Sequence, residues 1–450
     1  MNSDFTKKIF SILPVALKDY LFKSEVNKKI ATGVFWSLFG TIVSKGLLLL
    51  SSIIIARVLG PEIYGEVGII RSTVNMFTVF AGMGLGLTAT KYIAEYKHSN
   101  MQKVLKIITL SNIIAFFSGL LFSIVIVVFS LEIAVQINAP HLTNEIKIGA
   151  LMLFFSSLNG VQSGILAGFE DFKSIAKNNL WAGVISFFIQ ITATYIWGLV
   201  GAIVGLGTNF LVLWVLNKYS ISKIIREKEC IKIWDNSLLK EISILWKFSL
   251  PAVLSGIMVV PITWLCNAIL VNQSDGYIQM ALFDVANQWR ITILFIPGAL
   301  SQIILPMLSS SLNDKVNYKI ILLKNLKLNI IISSLIFILI FAMSPLISNF
   351  YGNGFQGVKL PLLIMAFSTV LVTINNVVGQ AIASQGKMWI GFSLNALWAV
   401  VLMTTVYLTI YVYDGGAIGL SVSYLISYCT HTIFQFLYFK LFILKIRRYH

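Results

Sequence analysis

Charge is scarce in this 450-residue chain: Asp, Glu, Lys and Arg together make up 12% of it, while 57% is hydrophobic and the mean hydropathy is +0.84. Soluble domains carry roughly a quarter charged residues, so a soluble globular protein is excluded and a polytopic membrane protein with almost no extramembranous domain is expected. Acid is the scarcer sign, with 18 Asp and Glu against 34 Lys and Arg and a net charge of +16. The basic residues are strung through loops rather than gathered on one patch, and no nucleic-acid partner is expected. The three cysteines, Cys230, Cys266 and Cys429, are odd in number and two lie in apolar runs, which excludes a disulfide framework. His98, His141, His431 and His450 are scattered and form no metal set, and the chain has no P-loop, nucleophile elbow or zinc motif. The expectation is therefore no catalytic residue, no metal, no cofactor and no enzyme. Gly82-Met83-Gly84-Leu85-Gly86 lacks the preceding strand of a nucleotide-binding unit; within a span it allows close helix contact or local unwinding. Residues 1–30 are broken by Pro14 and by lysines and show no cleavage site, so they do not read as a cleavable signal.

What is abundant is long apolar runs. Scanning for about 20 apolar residues gives twelve spans, at 33–56, 67–90, 107–130, 147–168, 178–197, 199–217, 247–271, 280–304, 328–348, 360–383, 389–411 and 416–439. The fold class is all-α, a polytopic protein of twelve transmembrane helices in two pseudo-symmetric six-helix lobes. The divisions are a basic amphipathic tail over 1–32, an N-lobe over 33–217, a connector over 218–246, a C-lobe over 247–440 and a basic tail over 441–450. Of the 34 Lys and Arg, 28 fall on one side of this topology; Arg57, Lys147 and Lys359 fall on the other, and Lys45, Arg71 and Arg290 lie within spans. The positive-inside rule then places both termini in the cytoplasm.

An internal repeat supports the two lobes. Asn159, Ala167 and Asn179 recur as Asn375, Ala383 and Asn395, each 216 positions on, and Tyr64 matches Tyr277 at 213. Six spans per repeat keep the second lobe in the orientation of the first, a parallel repeat of the kind used by alternating-access transporters.

Ions within spans are costly and default to a functional reading. Ser37, Thr41, Ser44, Lys45, Leu48, Ser51 and Ser52 share one helical sector, a polar stripe on a lipid-like helix that reads as wet, with Lys45 near mid-span. Two readings stand for Lys45: a cavity-facing cation, or a lysine paired to a neighbouring carbonyl. Arg71 heads a stripe with Asn75 and Thr78, and suits recognition of phosphate or carboxylate, or reaches outer headgroups. Asp284 stands 213 positions after Arg71, as its counter-ion or that of Lys45, or as a site for a coupling cation. Arg290 points about 120° away from Asp284 on the same helix. Lys45, Arg71, Asn75 and Arg290 are the candidate substrate-binding residues, and Asp284 the candidate coupling or counter-ion residue. In span ten, Thr369, Thr373, Asn376, Gln380 and Ser384 form a stripe that suits a sugar-like ligand or helix–helix bonding.

Ala56-Arg57-Val58-Leu59-Gly60-Pro61-Glu62-Ile63-Tyr64-Gly65 resembles the A-R-x-L-G-P-x-x-Y-G turn of polysaccharide flippases. Gly84–Ala94, Leu166–Lys173 and Phe248-Ser249-Leu250-Pro251 are similar to three further segments of that family, and the likeness runs from about residue 28 to 440. The chain thus resembles the Wzx-type O-antigen and capsule flippases of the multidrug/oligosaccharidyl-lipid/polysaccharide exporter superfamily. The resemblance implies a multi-pass inner-membrane protein flipping undecaprenyl-pyrophosphate-linked oligosaccharide to the outer leaflet by alternating access, driven by an H+ or Na+ gradient. Its partners would be the lipid-linked oligosaccharide, membrane lipids and polysaccharide polymerase machinery. Rival readings are a multidrug extruder of the same superfamily and a lipid II flippase. A polymerase or ligase would need a sizeable outer loop, and none here exceeds about 20 residues by the span limits above.

Overall fold

The computed structural model describes residues 25–227, 258–312 and 314–439. The expected amphipathic tail before residue 25, the start of the seventh span and the basic tail after residue 439 lie outside them. The helices are α1 (Glu25–Gly82), α2 (Leu85–Tyr96), α3 (Met101–Val128), the short α4 (Ser130–Gln136), α5 (Thr143–Gly168) and α6 (Phe172–Glu227). After the midpoint come α7 (Val259–Val271), α8 (Gly276–Ser310), α9 (Lys315–Tyr351), α10 (Lys359–Ser384), α11 (Met388–Val406), which ends in a π-helical turn, and α12 (Gly416–Tyr438). No strand occurs among the described residues, and eight of the described helices are long and apolar enough to cross a membrane. This is the backbone solution hydrocarbon demands, since each N–H and C=O must find its partner within the segment. Polar loop residues start several helices: Asn100, Asp171 and Asp314 accept from the backbone N–H three residues on.

Two of the helices are each a pair of limbs. α1 bends at Gly60, whose backbone (φ 75, ψ 170) is closed to residues with a Cβ, and Pro61, lacking an N–H, opens the second limb. Twelve residues of straight helix separate Ser52 from Tyr64, about 18 Å at 1.5 Å per residue. Their hydroxyls nevertheless meet at 2.6 Å, so the limbs turn back on each other. α6 turns likewise at Gly198, and Asn209 of its second limb donates to Ser186 of its first at 3.4 Å. That single residue is the whole of the loop between the fifth and sixth expected spans. Most expected spans lie on one helix or limb over their described residues; the second, 67–90, runs from the second limb of α1 into α2, and the third, 107–130, from α3 to the first residue of α4. The connector is helical as far as Glu227. Between α1 and α2 the helix unwinds at Met83 and Gly84, both at positive φ, where the glycine run leads into α2.

The buried side chains divide into three clusters. One gathers residues of both halves, including Ile55, Tyr64, Ile70, Trp264, Phe283, Tyr351 and Phe355. The second lies wholly in the N-terminal half, from Leu85 to Ile221, and the third wholly in the C-terminal half, from Ile304 to Phe439. The halves therefore share a core at the end that carries the Gly60 turn and keep separate cores at the other end. This is a V with its apex at Gly60.

At the apex the second limb of α1 crosses α8 backbone to backbone. A Cβ on Gly65 would land on the Tyr277 carbonyl, 3.1 Å from Tyr277 Cα. Overpacking of this kind costs about 1–3 kcal/mol, and Tyr277 can yield only by moving α8. We expect Gly65→Val to open the apex. Cysteines replacing Ser72 and Asn267, whose side chains now touch at 2.8 Å, should cross-link readily in an otherwise cysteine-free chain and poorly once Gly65→Val is added.

Candidate functional site

The crossing of α1 and α8 brings their polar side chains together. Gly68 leaves room for Asp284, whose Cβ would stand 3.2 Å from a Cβ on Gly68. Across that gap Arg71 Nη1 donates to Asp284 Oδ2 at 3.2 Å, with the two side chains 19% and 7% exposed. A buried carboxylate requires a paired cation and further hydrogen bonds, and Gln288 Nε2 supplies one to the same oxygen at 2.7 Å. The other Gln288 N–H reaches the Tyr64 hydroxyl at 2.6 Å, which in turn meets Ser52. The row Arg71–Asp284–Gln288–Tyr64–Ser52 thus ties the first limb of α1, its second limb and α8. Beside it, Trp264 Nε1 donates to Thr73 at 2.9 Å and Asn267 Nδ2 to Ser72 at 2.8 Å. Nearer the apex, Asn272 and Tyr277 donate to the carbonyls of Gln136 and Ile137. Two atoms of this junction, Arg71 Nε and Asn267 Oδ1, are buried without a partner.

Beyond the junction the halves separate. Asn75 follows Arg71 by one turn and is exposed. Lys45 is also exposed, and it lies seven residues before Ser52, which puts it on the same face of α1 about 10 Å further from the apex. Both are thus exposed polar side chains within expected spans. The rest of the Lys45 stripe differs. Ser44, Ser51 and Ser52 are buried, Ser51 donates to Gln190 at 2.9 Å, and Thr41 meets the Asn179 amide at 3.5 Å. Of the stripe's described side chains only Lys45 is exposed; the serines bond helix to helix. Hydroxyls at one-turn spacing look the same in sequence for either use.

Arg290 stands apart from Arg71 and Lys45. Its Nε donates to Asn287 at 3.0 Å and its Nη1 to the Tyr428 hydroxyl at 3.1 Å, with the guanidinium over the rings of Tyr424 and Tyr428. It belongs to the C-terminal half, beside a cavity of about 510 Å³ that Tyr428 lines. On the apex side, a cavity of about 650 Å³ between the halves is lined by Arg57 and Lys359 together with Pro61, Tyr351 and Gly354.

With this geometry in view, comparison with known proteins places the chain. Residues 30–312, more than half of it, match the family described as polysaccharide biosynthesis protein.

The chain belongs to that family.

Among curated relatives of this polysaccharide biosynthesis protein, the EPS I polysaccharide export inner membrane protein EpsE of Ralstonia nicotianae is 29% identical over 202 residues. The match covers 44% of this chain and 45% of that protein, so the chain spans less than half of this relative's length. The lipid III flippase of Escherichia coli K12 is 23% identical over 289 residues, covering 62% of this chain and 67% of that one. Among solved structures, an inward-facing multidrug resistance MATE family transporter of the MOP superfamily is 16% identical. It covers 90% of this chain and 96% of its own with a TM-score of 0.67. The eukaryotic MATE transporter AtDTX14 is 13% identical, with 92% and 95% covered and a TM-score of 0.72. At these identities the structures establish a shared fold.

The sequence reading brought Arg71 and Asp284 together through their offset and left out Ser72, Thr73, Trp264 and Asn267. Their one signal was polarity within apolar runs, without the regular spacing that marks a stripe. The junction makes a specific demand on charge. Removing one partner of a buried pair costs about 3–5 kcal/mol, because the other charge is left behind. Arg71→Ala and Asp284→Ala should each destabilise the purified protein by more than the double variant Arg71→Ala/Asp284→Ala does. A thermal-unfolding double-mutant cycle reads this as a coupling of about 1 kcal/mol or more.

Proposed function

We propose that this member of the polysaccharide biosynthesis protein family moves an undecaprenyl-pyrophosphate-linked oligosaccharide from the cytoplasmic to the outer leaflet of the inner membrane by alternating access. The observation that supports the reading is Lys45, an ammonium exposed within the first expected span, which we place in the cleft between halves whose shared core lies at the Gly60 end. A cation in a low-dielectric wall attracts an anion and repels cationic drugs, and a diphosphate is the compact anion of a lipid-linked sugar. The names of the curated relatives, an export protein and a lipid flippase, support the same reading. No bond of the cargo needs to change, so the protein is a carrier and not an enzyme.

In this reading residues 33–217 and 247–440 are the two moving lobes, both termini are cytoplasmic, and the open end of the V faces the cytoplasm. The diphosphate meets Lys45 first, with Asn75 as an amide donor beside the path. Arg71 lies deeper and is held by Asp284. A guanidinium binds phosphate bidentately as well as it binds carboxylate, so cargo reaching Arg71 competes with Asp284 for it. Only a ligand that favours the open-outward state can shift the equilibrium towards it, and this competition supplies that preference. An H+ or Na+ that neutralises Asp284 would loosen the same pair, which is where an ion gradient would act.

The test is flipping of undecaprenyl-pyrophosphate-linked oligosaccharide in proteoliposomes. Lys45→Ala should lower the rate by about tenfold or more, the scale of a lost charge-assisted contact, while Lys45→Arg retains most of it. Unchanged flipping by Lys45→Ala, at equal protein in the membrane, overturns the anion site. Flipping indifferent to both pH and sodium gradients removes the coupling role from Asp284.

A further inference from the structure

The cavity of about 510 Å³ in the C-terminal half is walled by α10, α11, α12 and the start of α7, away from the Arg71–Asp284 junction. Its volume falls in the range of small-ligand pockets. Four side chains lining it carry a buried polar atom without a partner: Asn375 Nδ2, Trp398 Nε1, His431 Nδ1 and Gln435 Oε1. All four residues are more than nine-tenths buried, at 6%, 3%, 7% and 4% exposed. A buried donor or acceptor left unpaired is costly, and native proteins hold only a few per hundred residues. Those four atoms sit behind the cavity surface, and the side-chain amides that open to it are those of Asn376, Gln380 and Asn395, none of them buried, which suits an occupant that forms hydrogen bonds.

The chemistry of the wall narrows the occupant. The side-chain amides of Asn376, Gln380 and Asn395 offer both donors and acceptors, and the Tyr428 hydroxyl adds another. The described lining holds no carboxylate, lysine or arginine, and Arg290 behind Tyr428 is bonded to Asn287 and to that hydroxyl, so neither a cationic drug nor the diphosphate finds its counter-charge here. Trp398 and Tyr428 stand ring to ring at 5.5 Å and 36°, presenting aromatic surface to the apolar C–H faces of a ligand. Neutral hydroxyl and amide groups on a ring with apolar faces describe a sugar.

The internal repeat sharpens the point. In the N-terminal half the counterpart of Asn375 is Asn159, whose amide donates to the Phe210 carbonyl at 2.6 Å. The counterpart of Asn395, another lining residue, is Asn179, which donates to Thr41. Asn375 also reaches a neighbouring helix, accepting from Thr432 at 2.9 Å, so the contrast between the halves lies at the second pair, where Asn179 bonds Thr41 and Asn395 lines the cavity. The span-ten stripe divides in the same way. Thr369 and Thr373 bond their own helix, whereas Asn376 and Gln380 line the cavity.

We infer that this cavity binds the first, uncharged sugar of the lipid-linked cargo and sets which glycan is accepted, while the N-terminal half takes the diphosphate. The inference rests on the proposed function. It is tested on the purified full chain with two probes, undecaprenyl pyrophosphate bearing one N-acetylhexosamine and undecaprenyl pyrophosphate without sugar. A site that hydrogen-bonds its ligand discriminates steeply against one lacking those groups, so the native chain should bind the sugar-bearing lipid about tenfold tighter or more. Asn376→Ala, Gln380→Ala and Asn395→Ala should each remove most of that preference and leave affinity for the bare lipid unchanged. Lys45→Ala should weaken both probes and keep the preference. Equal binding of both probes by the native chain overturns this inference and leaves the proposed function standing; so does a preference that survives all three cavity variants. Binding of neither probe overturns both.

Discussion

The structure depends on one contact, the ion pair of Arg71 with Asp284 where α1 crosses α8. The two residues occupy equivalent places in the repeat, 213 positions apart, so they meet at the axis that relates the halves. A pair on that axis needs two things that the chain supplies. Gly65 and Gly68 let the backbones approach, and Gln288 and Tyr64 satisfy the carboxylate and extend the bonding to the first limb of α1. Charge alone would not hold the halves, because a buried pair roughly offsets its own desolvation. It fixes the register in which the shared apolar core around Tyr64, Phe283 and Phe355 closes.

Everything beyond the junction follows from its being at one end. Lipid tails are as apolar as the side chains they replace, so helices in a bilayer have no hydrophobic drive to close a gap. The halves stay apart wherever packing and hydrogen bonds do not join them, and each keeps its own core at the open end. In the proposed function the exposed Lys45 and Asn75 lie on one side of that cleft. The second half contributes a separate cavity whose described lining carries no charge. A cargo with an anionic head and a neutral glycan would then meet two chemistries on two walls.

Much of the fold was legible because hydrocarbon admits few alternatives. Twenty apolar residues must be a helix, and Leu59-Gly60-Pro61 announces a reversal. The Gly198 turn was legible only as an oddity, a junction with almost no loop. The Arg71–Asp284 pair was visible as an offset, since residues on a pseudo-twofold axis contact their own equivalents. The serines around Lys45 were misread as wet because spacing reports which face a residue occupies and not what covers it. Arg290 was grouped with the other cations within spans, and its partners Tyr424 and Tyr428 on α12 come from packing that no spacing records. The unpaired cluster was not legible at all. Asn375, Trp398, His431 and Gln435 come from three helices, and whether a buried amide is paired depends on packing that no periodicity records.

In the proposed cycle the molecule rocks about this junction, closing one end as it opens the other. Spin-label distances on the full chain in lipid nanodiscs test it directly. One pair of labels would sit at Lys97 and Lys387, at the open end of the two halves, and a second at Val58 and Gln356, at the apex. On adding undecaprenyl-pyrophosphate-linked oligosaccharide, the first distance should shorten and the second lengthen. Distances that both stay fixed, or that change in the same direction, would contradict the account.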